Sequence, residues 1–98
     1  MKQIFLTLKK EWFDKIKSGQ KNIEYREYKQ HWHSRFKNLN CDGSEILIFR
    51  NGYKKDSPTI KARLIGITII DSGIDTDLKI DKKVYALKFE ILNQRSLS

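Results

Sequence analysis

"TIKARLIGITIID", residues 59–71, is a long β-branched run, and its reading decides the fold. Strand alternation puts Ala62, Leu64, Gly66, Thr68 and Ile70 on one side and Arg63, Ile65, Ile67 and Ile69 on the other. Apolar residues on both sides predict burial on both. Gly66 in the middle predicts a bend or bulge of the kind that a closing barrel requires. The segment before it, "EILIFR" (45–50), is a strand running into Asn51-Gly52, a pair that tolerates the positive φ of a tight turn and so predicts a hairpin or sharp corner. Beyond it, "DSGIDTDLKIDKK" (71–83) is polar and turn-rich. "VYALKFEIL" (84–92) is the last strand, with Tyr85, Leu87, Phe89 and Ile91 facing one way. The tail "NQRSLS" (93–98) is expected to fray.

The N-terminal half alternates between strand and helix. "QIFLTL" (3–8) is a short apolar strand. In "KKEWFDKIKSG" (9–19) Trp12, Phe13 and Ile16 recur at helical spacing among charged residues, and Gly19 is the natural stop; Thr7 is the available N-terminal cap. "KNIEYREY" (21–28) alternates again, with Lys21, Ile23, Tyr25 and Glu27 on one side and Asn22, Glu24, Arg26 and Tyr28 on the other. Trp32 and Phe36 then mark a second short helix over 29–37, which ends in the loop "NLNCDGS" (38–44). About five strands and two short helices, with no repeated βαβ spacing, predict an α+β or small-barrel fold and one domain over residues 1–98.

The net charge of +8 sits mainly at the N-terminal end: residues 1–40 carry ten Lys/Arg against four Asp/Glu, and residues 41–98 ten against eight. A basic field concentrates polyanions, chiefly nucleic acid. Cys41 is the only cysteine, so no intramolecular disulfide can form, and a reducing, cytoplasmic setting is expected. The first apolar run is broken by Thr7, Lys9 and Lys10, too short for a signal or membrane segment. No glycine-rich phosphate loop, HExxH or nucleophile elbow is present, and no cofactor is expected. His31 and His33, two apart on a helix, point to different sides, so no metal site is expected.

Lys21, Glu24 and Arg26 place a lysine, a carboxylate and a guanidinium within six residues. Such a set can orient a polar planar ligand or share a proton, but spacing alone favours an exposed ion-pair network. Tyr25, Tyr28 and Trp32 with Lys29, Arg35 and Lys37 are the aromatic and basic mixture that stacks bases and neutralises phosphates. Trp32 and Phe36 are assigned to packing, and Tyr25 and Tyr53 to ligand contact.

These same residues carry a resemblance. "LTLKKEWFDKIKSGQKNIEYREYKQHWHSRF" (6–36) followed by "IFRNGY" (48–53) resembles the small bacterial and phage ASCH domains, relatives of the PUA domain, whose shared motif is G-x-K-x-x-E-x-R. Here the motif is Gly19, Lys21, Glu24 and Arg26, with Phe49, Asn51, Gly52 and Tyr53 following at family-like distance. The resemblance implies a PUA-like β-barrel of five or six strands with two short helices against one opening. It also implies a basic cleft that holds RNA, nucleotides or modified bases, with Lys21, Glu24, Arg26, Tyr25, Asn51 and Tyr53 as ligand-binding residues. Some similar proteins hydrolyse N4-acetylcytidine and others are described as ribonucleases. In the hydrolase branch a threonine nucleophile, activated by the motif lysine, stands where this chain has Glu24, and that branch's further catalytic glutamate finds no match in this sequence. Binding therefore ranks before a metal-independent enzyme using Lys21 and Glu24, and an acidic protein partner for the basic face stands third.

Overall fold

The structure is a computed structural model and describes residues 3–92; the expected fraying of the tail falls outside these residues. Its elements are β1 (Gln3–Leu8), α1 (Lys10–Lys17), β2 (Ile23–Glu27), α2 (Gln30–Phe36), β3 (Ile46–Asn51), β4 (Thr59–Ile70) and β5 (Val84–Ile91). The five strands form one mixed sheet in the order β1-β3-β4-β5-β2. β1 and β3 are parallel, because α1, β2 and α2 are inserted between them; the other pairs are antiparallel. The result is a small α+β fold with a five-stranded half-barrel sheet and two helices.

The core lies inside the curl of the sheet. Ile4, Leu6 and Leu8 alternate inward from β1, Leu47 and Phe49 from β3, Ala62 and Leu64 from β4, and Leu87 and Phe89 from β5. Phe13 and Ile16 of α1 and Phe36 of α2 complete it, which is what their helical spacing predicted. Each large side chain so buried contributes about 1.5–3 kcal/mol.

The register of β4 shifts between Leu64 and Gly66, so the bulge predicted at Gly66 is present. Burial of β4 on both faces is not: Ile65 is 38% and Ile69 50% exposed. The cause is topological. β3 pairs with β4 only as far as Arg63, whereas β5 pairs with it to Ile70, so the second half of β4 is covered from one side alone. The bulge also moves the inward set by one residue, and Ile67 packs on the core where simple alternation points to Gly66 and Thr68. At the start of α1 the capping position is Lys9, with no side-chain cap, and Thr7 remains in β1. Gly19 ends the helix region with φ +86°, a conformation open to glycine.

Candidate functional site

β1 and β2 are the two edges of the sheet, and the half-barrel is open between them. Side chains close this seam where a backbone ladder does not. Arg26 Nη2 of β2 donates to the Thr7 carbonyl at 3.2 Å, and Arg35 Nη2 of α2 donates to the Phe5 carbonyl at 3.2 Å. Phe5 and Thr7 are two apart, so both carbonyls face the same free edge of β1. Both guanidinium groups lie over Trp32, at 4.9 and 5.4 Å from its ring centre, and Trp32 stacks on Phe36 at 5.3 Å. Phe36 is buried as expected, whereas Trp32 is only half-buried and lines a cavity, so its role is not packing alone.

Lys21, Glu24 and Arg26 converge at this seam. Glu24 divides its carboxylate: Oε1 is 3.2 Å from Lys21 Nζ, and Oε2 accepts from Arg26 Nε at 2.9 Å and lies 2.7 Å from Nη2. The Lys21 and Glu24 side chains are 8% and 7% exposed, which removes the reading of an exposed surface pair. Period-two alternation had put Lys21 on the face opposite Glu24. The strand begins only at Ile23, after the turn at Gly19, so Lys21 is freed from that alternation; its N–H bonds to the Lys15 carbonyl instead. Its ammonium also donates to the Ile23 carbonyl at 2.6 Å and to the Asp77 carboxylate.

Asp77 was not singled out in the sequence. It lies in the β4–β5 connection, 56 residues from Lys21, inside a stretch whose only sequence signal is turn-rich polarity. A small hairpin, with a bridge between Gly73 and Ile80, presents it. Gly73 permits this close approach, since a Cβ there would meet Val84 Cγ1 at 2.6 Å. A carboxylate distant in the chain thus reaches Lys21 through the fold.

Two cavities flank the network and share Trp12, Tyr25 and Asp77. The smaller, of about 280 Å³, is lined also by Lys15, Gln20 and Lys21. The larger, of about 470 Å³, is lined by Glu24, Arg26, Trp32, Lys9, Lys29 and Leu78 among others, and occupies the seam itself. Lys21 Nζ lies 5.2 Å from the Tyr25 ring centre and 5.7 Å from that of Trp12. Asn51 and Tyr53 do not line either cavity. Asn51 pairs in register with the cavity residue Leu8, and Tyr53 is 88% exposed in the β3–β4 loop.

The two histidines diverge as their spacing predicts. His31 meets the edge of Trp32, and His33 Nδ1 is 2.7 Å from the Tyr85 hydroxyl, with Tyr28 against its ring. Burial first, and then the neighbouring Tyr28, raises the Tyr85 pKa above the ordinary tyrosine value. A raised native pKa means that the fold favours the neutral phenol. That contribution to stability is complete below the unfolded tyrosine pKa and is lost as pH rises through the native one. An ultraviolet difference titration is expected to show one tyrosine ionising after the rest, and Tyr85→Phe is expected to delete that last step.

Among the described residues no group of His, Cys, Asp and Glu is arranged to hold a metal, and no helix is long and apolar enough to cross a membrane.

No family model matches the sequence, and no curated protein does. The fold, an α+β half-barrel with helices at its opening, is nevertheless found among solved structures. The hypothetical protein PH0355 is 22% identical with a TM-score of 0.60, over 94% of this chain and 100% of that one. Two single-substitution variants of ZmASCH from Zymomonas mobilis are each 16% identical with a TM-score of 0.61. They cover 94% and 95% of this chain and 74% and 76% of theirs. The chain has an ASCH-like fold.

Proposed function

We propose that the chain is a single ASCH-like domain over residues 1–98 that binds RNA or a nucleotide-like ligand in the seam cleft. One observation carries this reading: Glu24 and Arg26 form the floor of the seam cavity, walled by Trp12, Tyr25 and Trp32, and Lys21, paired with Glu24, lines the adjoining cavity that shares Trp12 and Tyr25. Buried ion pairs are poor stabilisers, since well-packed apolar residues usually do as well, so four charged groups at a cavity wall are better explained by a ligand than by stability. The aromatic rings offer faces on which a base stacks.

The charges also distribute the roles. Lys21 and Arg26 are matched by Glu24 and Asp77, so the floor is close to neutral and suits the polar edge of a base. Lys9, Lys15 and Lys29 stand at the rim and suit phosphates. The phosphate contacts then fall to the rim, and the polar contacts with the base to Lys21, Glu24 and Arg26.

Fluorescence anisotropy with a short labelled RNA tests the reading. If each rim lysine releases one counterion, the logarithm of the affinity falls against log salt with a slope of about −2. Replacing Lys9, Lys15 and Lys29 by alanine flattens that slope without unfolding the protein, and Lys21→Ala with Arg26→Ala abolishes what remains. Binding indifferent to salt and to both sets of substitutions ends the proposal.

A second reading is favoured by Asp77. A lysine between two carboxylates has the composition of an acid–base site, as a metal-independent ribonuclease or an amidohydrolase of N4-acetylcytidine requires. Incubation with labelled RNA and with N4-acetylcytidine, beside Glu24→Gln and Asp77→Asn, decides it. No turnover, or turnover in both variants equal to that of the unsubstituted protein, removes the enzyme.

A further inference from the structure

Tyr53 is the most exposed large ring among the described residues, and it stands on an ordered loop. Ser57 N–H and Arg50 Nη2 both donate to the Lys54 carbonyl, at 3.0 and 2.8 Å, and Asn51 N–H donates to the Pro58 carbonyl at 3.0 Å. Gly52, with φ +98°, makes the corner and donates its own N–H to the Leu8 carbonyl at 3.2 Å. Leu8 lines the larger cavity, so the loop is tied to the cleft wall at its base while its exposed ring is not part of the cleft lining. Among the described residues no ring contacts Tyr53, and its 88% exposure means that packing does not account for it.

The charge around it is mainly positive. Lys54 and Lys55 follow directly, both exposed, against the single carboxylate of Asp56, and Arg50 lies beneath them. An exposed ring on a braced loop, bordered by cations and continuous with the cleft rim through Gly52–Leu8, has the chemistry of a stacking platform for single-stranded nucleic acid. We infer that the Tyr53 loop is a second contact, outside the cleft, for the strand that leaves it. The inference rests on the cleft reading and sharpens it: the ligand is a strand of several nucleotides, not a mononucleotide.

The experiment compares a labelled mononucleotide with RNA oligomers of increasing length, against wild type, Tyr53→Ala, Tyr53→Phe and Lys54→Ala/Lys55→Ala. Affinity is expected to rise with length and then level off. Tyr53→Ala is expected to weaken the longer oligomers by about 5- to 150-fold, the worth of one stacked base, while leaving the mononucleotide and the melting temperature unchanged. Tyr53→Phe keeps the ring and retains the affinity, and the double lysine variant lowers the salt slope for long oligomers only.

If long oligomers bind with sensitivity to Lys21 and Arg26 but are indifferent to Tyr53→Ala, the second contact is wrong and the cleft stands. If Tyr53→Ala weakens mononucleotide and oligomer alike, Tyr53 does not act on a departing strand, and the inference also fails. Competition by an acidic peptide as effective as by RNA assigns the loop to a protein partner and overturns it. No binding of any oligomer ends both readings.

Discussion

Glu24→Ala is expected to lose about 3–5 kcal/mol of stability, the cost of leaving buried charges without their counter-charge. The carboxylate is shared by two cations, and its removal strands Arg26, 17% exposed, and leaves Lys21, 8% exposed, with Asp77 as its one remaining carboxylate. At about 4–8 °C per kcal/mol for a domain of this size, the melting temperature falls by roughly 12–40 °C. Against a total of about 5–15 kcal/mol, the variant is at the edge of folding. Glu24→Gln keeps the shape and one good acceptor but turns an NH2 group toward the other cation, and is expected to lose about 2 kcal/mol. The control is Glu90→Ala. Glu90 pairs with Arg63 at 3.5 Å, yet its side chain is 64% exposed, so its loss is expected to stay within about 0.5 kcal/mol. Denaturant melts of the three variants check the ranking. A Glu24→Ala protein as stable as Glu90→Ala shows that the network does not hold this part of the fold.

Much of the fold was legible because its signals are local. The bulge needed only Gly66 within a β-branched run, and Trp12, Phe13 and Ile16 needed only helical spacing. The inward face of β5 followed from its own alternation. Where pairing decides, the sequence was silent. Ile65 and Ile69 are as apolar as buried residues, and nothing along the chain says that β3 stops opposite Arg63. The candidate site divides in the same way. Lys21, Glu24 and Arg26 are close in sequence and meet in space, although Lys21 arrives by leaving the strand that its spacing suggested. Asp77 joins them through a hairpin that no local pattern ties to the motif. Trp32 has the spacing of a core residue and also a cavity face, because the core ends at the seam it covers.

Arg26→Lys is expected to be nearly as damaging as Arg26→Ala, at about 2–4 kcal/mol for either, even though the lysine keeps the charge. Three contacts depend on the planar fork. Nε and Nη2 address Glu24, Nη2 also reaches the Thr7 carbonyl, and the guanidinium plane lies over Trp32. An ammonium on a shorter stem can take the Glu24 contact or the Thr7 contact, and it does not stack as a plane. Losing the Thr7 contact uncovers one carbonyl on the free edge of β1, leaving Arg35 alone to brace that edge at Phe5. Hydrogen exchange is therefore expected to quicken through β1 in Arg26→Lys while β4 and β5, the centre of the sheet, keep their protection. The charge-dependent part of the proposed RNA binding is expected to survive the same substitution, since the cation remains and the rim lysines are untouched. An Arg26→Lys protein with wild-type stability and wild-type exchange in β1 means that the seam is closed by packing and not by this guanidinium. With the exchange pattern expected here, one side chain both closes the half-barrel and floors the cleft, so the cleft exists because the sheet stops short of closing.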